Sequence, residues 1–213
     1  MGRPPLTDEE NKKIKIRLIE AARQILLEDN ETGFSVRNVS KISGINSALV
    51  YKHFSDAEEL IMFASFDLLK DYNMRRDTIT TTDPTEQFLE YWAVFSESVF
   101  DYAPYMYNLY YGKHSHNVTD IMKQYFELFP QSRKPKTNFG DHQVSGNLFE
   151  HNRTSLMPIL KDRLDEETIE QINQIIGALF ASLLQEKIRD PQIPNKVLSQ
   201  RMVNYCKLLL RIN

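Results

Sequence analysis

Cysteine is almost absent: Cys206 is the only one in 213 residues. A lone thiol closes no internal disulfide and builds no cysteine-based zinc site, which fits a reducing compartment. Glycine is scarce at seven residues, and none is arranged as a phosphate-cradling loop or a collagen-like repeat. No uncharged apolar run approaches the roughly 20 residues that crossing a bilayer requires; the densest stretch, 175–184, has ten. The opening Met1-Gly2-Arg3-Pro4-Pro5, followed by Asp8-Glu9-Glu10, has no apolar segment of a secretory signal. The expectation is a cytoplasmic protein with no membrane association, in which the sequons at Asn117 and Asn152 are chance matches.

What is present suits a folded domain, with 41% hydrophobic and 26% charged residues. The net charge of −3 is unevenly spread: residues 1–55 hold nine Lys/Arg against seven Asp/Glu, and the remainder seventeen against twenty-two. The N-terminal part is the one suited to an anionic partner, provided its charges sit on one face.

Apolar residues recur at three- and four-residue spacing nearly throughout, so the chain reads as all-α. Thr7 with Glu10 predicts a capping box for a first helix with the stripe Ile14, Leu18, Ala21, Ala22, Ile25, Leu26, ending near Asp29-Asn30 before Gly33. Ser35 predicts the cap of a short helix to Ser43 with Val36, Val39 and Ile42 on one side, and Asn46 that of another to about His53. Ser55 with Glu58 predicts a capping box for one long helix reaching Arg76. Asp83-Pro84 with Glu86 starts a helix to about Tyr102, Pro104 restarts the chain, and a further helix spans about 118–129. Residues 130–146 read as a polar loop. A helix at 147–164, bent at Pro158, and two long helices at 166–189 and 195–212 complete the chain.

Two short helices separated by Gly44 form the informative piece. A helix-turn-helix needs a small residue where the helices approach, a turn residue free of Cβ clash, and flanking apolar residues; Ser40, Gly44, and Val39, Ile45 and Val50 meet these needs. With Val50 inward, Ser47, Ala48, Lys52 and partly Leu49 turn outward, a face of small side chains and one cation that suits a major groove. Phosphate contacts are expected from Ser35 and Arg37, from Asn46, Tyr51, Lys52 and His53, and from the amides of the Ser55–Glu58 helix start. Each has a plainer alternative: Tyr51 as a packing residue, His53 as a surface histidine, Lys12, Lys13 and Lys15 as a solvated face.

From Arg17 to Ala64 the sequence resembles the TetR family of bacterial transcriptional regulators, through Arg17-Leu-Ile-Glu-Ala-Ala22, Leu26-Leu27-Glu28, Ser35-Val36-Arg37, Gly44-Ile45, Val50-Tyr51-Lys52-His53-Phe54 and Glu58-Glu59-Leu60. It departs from the family pattern at Asn30, Ala48 and Ala57. The resemblance implies a DNA-binding domain at 1–55, a connecting helix at 56–76 and a C-terminal helical ligand-binding and dimerisation domain at 77–213.

In that last region, seven of the ten tyrosines lie between Tyr91 and Tyr125. Two readings stand, an aromatic core or an effector pocket, for which Tyr91, Trp92, Phe95, Tyr105, Tyr107 and Tyr110 are the candidates. The two C-terminal helices suggest a dimer interface with Ile176, Gly177, Phe180, Ala181, Leu184, Met202 and Leu209 as candidates. His114, His116, His142 and His151 fit no standard ligand spacing, and no catalytic constellation is visible, so no metal, cofactor or enzymatic activity is expected. The expected function is a homodimeric repressor that binds a palindromic double-stranded DNA operator and is released by an unidentified small-molecule effector. The alternative is a TetR-like adaptor acting mainly through a protein partner.

Overall fold

The computed structural model describes residues 6–28, 34–130 and 147–211, and among these every regular element is a helix. α1 (Asp8–Glu28) opens on the expected capping box: the Thr7 N–H donates to the Glu10 carboxylate at 2.8 Å, and the Glu10 N–H donates to the Thr7 hydroxyl at 3.2 Å. Its inward stripe is Leu18, Ile19, Ala21, Ala22, Ile25 and Leu26. The expected close at Asp29-Asn30 and Gly33, and the loop from 131 to 146, lie outside the described residues.

α2 (Val36–Ser43) and α3 (Ser47–His53) follow the predicted boundaries. The stripe expected on α2 is incomplete: Val39 is buried, Val36 half-buried and Ile42 exposed, and Ser43 takes the fourth-residue position against the core. The long helix expected to Arg76 is three pieces: α4 (Ala57–Ser65), a 3-10 turn at Phe66–Leu69, and α5 (Lys70–Arg76). The Ser65 hydroxyl donates back to the Ile61 carbonyl at 2.7 Å, an intrahelical bond that bends helices. The tighter turn also brings Lys70 onto the buried Asp67 three residues earlier.

α6 (Pro84–Val99) is capped by Asp83, whose carboxylate accepts from the amides of Thr85 and Glu86. A 3-10 turn at Phe100–Tyr102 leads into α7 (Ala103–Tyr111), and α8 (Val118–Leu128), α9 (Leu148–Leu160), α10 (Glu166–Arg189) and α11 (Asn195–Leu210) complete the chain. α9 remains helical through Pro158. α11 lies along α6, α10 packs on α7 and α9, and α4 touches α1, α7 and α8, so one continuous apolar core runs from Leu18 to Leu210. Three side chains cross that core as a polar relay: the Trp92 indole donates to Asn152, Asn152 to Asn173, and Asn173 to the Phe149 carbonyl, at 2.9, 2.9 and 3.0 Å. Each buried amide thus has a partner, as burial demands.

That core corrects the expected dimer residues. Ile176, Phe180, Leu184 and Met202 are fully covered by their own chain, and Gly177 is buried against Phe149. The α10 residues are internal because that helix uses its apolar stripe to seat α7 and α9, and Met202 because α11 lies along α6. Only Ala181 and Leu209 keep partial exposure. Gly177 admits the Phe149 ring: a Cβ there would stand 2.3 Å from Phe149 Cε1, and its carbonyl accepts from the Tyr111 hydroxyl at 2.7 Å. Gly177→Ala is therefore expected to destabilise the fold by about 1–3 kcal/mol through overpacking, read as a lowered urea midpoint. A change below about 0.5 kcal/mol, the size of an ordinary surface substitution, would mean that the Phe149 ring swings clear.

Candidate nucleic-acid interface and aromatic cluster

The α2–α3 turn is set by Gly44, whose φ of 66° and ψ of 18° lie in the left-handed region that a side chain resists. The Arg17 guanidinium from α1 donates to the Ser43 carbonyl, and the Ile45 N–H donates to the Ser43 hydroxyl at 3.2 Å. Ile45, Val50 and Phe54 are buried. With that face pinned, Ser47, Ala48, Tyr51 and Lys52 stand in solvent, Tyr51 at 59% exposure, and Leu49 is half-buried against the core. Arg37 and Lys41 are exposed on α2. Neither helix contains an Asp or Glu, so the exposed surface is cationic without internal cancellation.

Three of the residues expected to meet DNA also have roles within the head. Ser35 and Asn46 spend their side-chain oxygens as caps, accepting from the amides of Asn38 at 3.2 Å and Ala48 at 2.8 Å. His53 is half-buried, its Nε2 is covered without a hydrogen-bond partner, and burial, with Lys52 and Lys15 nearby, lowers its pKa. Burial thus disfavours the charged form of this half-buried side chain at the end of α3.

The start of α4 also departs from expectation. Asp56, not Ser55, is the cap, accepting from the Glu59 amide at 3.0 Å, and Glu59 in turn accepts from the Ser55 amide and hydroxyl. This helix start is no anion site because it already holds a carboxylate. Lys113 Nζ lies 2.8 Å from that carboxylate, and His114 Nε2 is 2.9 Å from both of its oxygens. Burial raises the Asp56 pKa, but bonds from Lys113, the Glu59 amide and His114 outweigh it and hold the group ionised far below the usual carboxylate range. The Asn108 amide donates to the Glu58 carbonyl at 3.1 Å. Lys15, grouped by sequence with a solvated face, lies 4.2 Å from the Phe63 ring centroid and donates to Gln124 on α8. Asp67 is a second internal carboxylate: burial pushes its pKa up, and Lys70, Arg23 and Tyr125 pull it below normal. Lys113, Asp56 and Asp67 were not singled out in the sequence, and His114 was weighed only as a metal ligand, because their meaning comes from partners as much as 58 positions away.

The expected pocket residues divide. Trp92 is fully buried in the asparagine relay, and Tyr107 accepts from Gln185 at 2.9 Å beside Tyr111. Tyr105 is half-buried against the core. Tyr91, Phe95 and Tyr110 converge, joined by Tyr72 and His151, with ring centroids 4.4 Å apart for Tyr91–His151, 5.0 Å for Tyr72–Phe95 and 6.0 Å for Phe95–Tyr110. Burial pushes the Tyr91 hydroxyl up to about 12 and Tyr72 and Tyr110 upward. Burial, with Arg76 nearby, lowers His151 to about 4. Of the other histidines, His116 is exposed and His142 lies outside the described residues. Among the described residues no cluster of His, Cys, Asp and Glu could hold a metal, and no helix is long and apolar enough to cross a membrane.

Because folded His151 refuses a proton that the unfolded chain accepts near pH 6.5, its contribution is complete above that pH and is lost down to about pH 4. The loss reaches roughly 3 kcal/mol, and His53 adds to it in the same direction. His151→Phe, which keeps a ring against Tyr91, is expected to remove most of the fall in unfolding free energy between pH 7 and pH 4.5. An unchanged slope would show that His151 titrates normally in the folded protein.

No protein-family model and no curated protein matches the sequence. Solved structures do match in fold. A transcriptional regulator from Rhodococcus sp. Rha1 has a TM-score of 0.55 at 17% identity, covering 92% of this chain and 96% of that one. A TetR transcriptional regulator from Rhodococcus sp. RHA1 has a TM-score of 0.55 at 12% identity, with 96% and 98% covered. RolR, solved in complex with its ligand resorcinol, has a TM-score of 0.52 at 12% identity, with 96% of each chain covered. An exposed, carboxylate-free helix-turn-helix on a helical body carrying an aromatic cluster thus belongs to a known architecture: the chain has the fold of the TetR transcriptional regulators.

Proposed function

We propose that the protein is a ligand-responsive transcriptional regulator that binds a palindromic double-stranded DNA operator as a homodimer, represses from it, and is released by a small molecule. The observation that carries this reading is α3: a seven-residue helix whose Ser47, Ala48, Tyr51 and Lys52 are free while Val50 is buried, with no carboxylate on it or on α2. Residues 1–55 act as the reading head, 56–76 as the connector and 77–213 as the effector-binding and dimerising body. A cytoplasmic location follows from that role.

The exposed apolar side chains of the last two helices support a dimer. Ile175, Val197 and Leu208 remain 45%, 49% and 76% exposed. Their burial against a second copy would place two α3 helices on one duplex, and two weak contacts would become one strong one. These are the neighbours of the residues that the core consumed.

A signal has a path through α7 and its polar contacts. α7 brings Tyr110 to the aromatic cluster, Asn108 to the Glu58 carbonyl and, just beyond its end, Lys113 and His114 to Asp56. A guest that shifts α7 moves the start of α4, three residues after α3 ends. Effector and operator then compete through the populations of two head positions.

Selection of DNA from a random-sequence pool tests the reading. Lys52→Ala and Arg37→Ala are expected to weaken binding to all sequences and lower its salt dependence, while Ser47→Ala changes which bases are preferred. No enriched sequence, with a protein partner captured instead, favours the adaptor reading. Ile175→Glu with Leu208→Glu is expected to convert a particle of about twice 25.0 kDa into one of 25.0 kDa in light scattering; a dimer that survives both changes places the interface elsewhere.

A further inference from the structure

The aromatic cluster gathers one guanidinium, three phenols and an imidazole around buried polar atoms that lack partners. Tyr72 and Arg76 reach it from α5, Tyr91 from α6, Tyr110 from α7 and His151 from α9. Arg76 Nε, His151 Nε2 and the Tyr72 hydroxyl are buried without hydrogen-bond geometry to any atom. The Arg76 guanidinium lies 5.7 Å from the Tyr72 ring centroid, and among the described residues it pairs with adjacent Asp77 at 3.3 Å. Its positive charge is felt at Tyr72, Tyr91 and His151. Buried polar atoms without partners, gathered around a partly desolvated cation, are costly unless something completes their hydrogen bonds. Tyr91, Tyr110, Arg76 and His151 each keep partial exposure, so the cluster opens to solvent.

We propose that this cluster is the effector site and that its ligand is a small aromatic monocarboxylate, an inference that rests on the reading of the chain as a ligand-responsive regulator. The guest's carboxylate accepts from Arg76 and Tyr72, satisfying the guanidinium with the planar acceptor it matches best. Its ring packs on the partly exposed Tyr91, Tyr110 and His151, at the edge of the array whose rings already make edge and offset contacts with one another. His151 is uncharged at neutral pH and therefore adds no second positive charge, which favours a single carboxylate; its free nitrogen pairs with a ring hydroxyl by choice of tautomer. A cationic aromatic is repelled by Arg76, and a neutral phenol offers it no charge-assisted contact.

Calorimetry on the full-length protein without DNA, using 3-hydroxybenzoate, benzoate, resorcinol and benzylamine as probes, tests the assignment. The two carboxylates are expected to bind, 3-hydroxybenzoate more tightly, with resorcinol at least about tenfold weaker, as befits loss of a charge-assisted contact, and benzylamine silent. Arg76→Gln is expected to cost the carboxylates about tenfold or more and leave resorcinol unchanged, with Arg76→Lys intermediate. Absence of carboxylate binding, or equal carboxylate affinity in wild type and Arg76→Gln of unchanged Tm, overturns the proposal. Its failure is separable from that of the regulator: a protein that selects an operator and releases it with resorcinol but no carboxylate keeps the regulatory reading and loses this one. A protein that binds 3-hydroxybenzoate through Arg76 but selects no DNA keeps the site and loses the regulator.

Discussion

Asp56 is the point on which the two halves of the molecule depend. One carboxylate caps α4 immediately after the reading helix and is held by Lys113 and His114 from the far side of the chain. A helix cap is normally a local device that satisfies otherwise unpaired amides. Here the same oxygens make the long-range contact, so the position of α4 relative to α7 and the order of its first turn rise or fall together. Lys15 over Phe63 and Asp67 between Arg23 and Lys70 repeat the pattern along the same seam. The head is thus tied to the body by charged groups whose geometry is specific, over a shared apolar core whose geometry is forgiving.

This matters because the head's own elements are too short to stand alone. α2 has eight residues and α3 seven, below the length at which an isolated helix offsets its nucleation cost. Their order comes from the burial of Val39, Ile45, Val50 and Phe54, from the packing of α2 on α1 and of α3 on α2, and from the left-handed turn at Gly44. α3 packs on α2 and α2 on α1, and Phe54 at the end of α3 meets Phe63 of α4, so a movement of α4 reaches the reading surface through that ring contact and through α1.

Sequence reasoning reached the local features and stopped at the distant ones. The Thr7, Ser35, Asn46 and Asp83 caps, the Gly44 turn and the inward Val50 were all legible, since each is decided within four residues. Asp56 displaced Ser55 because a longer-range grip on the carboxylate decides between two adequate caps. Gly177 and Ala181 resembled small residues awaiting a partner helix; Gly177 serves Phe149 of the same chain, 28 positions earlier in sequence, which no periodicity reveals. The apolar stripe of α10 likewise gave no sign of which neighbour would cover it.

The aromatic region shows how burial alone misleads and polar satisfaction discriminates. Tyr91 and Trp92 are adjacent, equally aromatic and equally plausible as pocket walls, yet a helix turns successive residues about 100° apart. Trp92 enters a relay in which the indole and both asparagine amides have partners, the behaviour of a structural core. Tyr91 faces a set whose buried polar atoms lack partners. A fold has no reason to keep such a deficit for stability, because apolar side chains of the same volume would avoid it. The completed network holds α6, α9 and α10 together, and the incomplete one, a helix turn away, leaves an interaction for something outside the chain to supply.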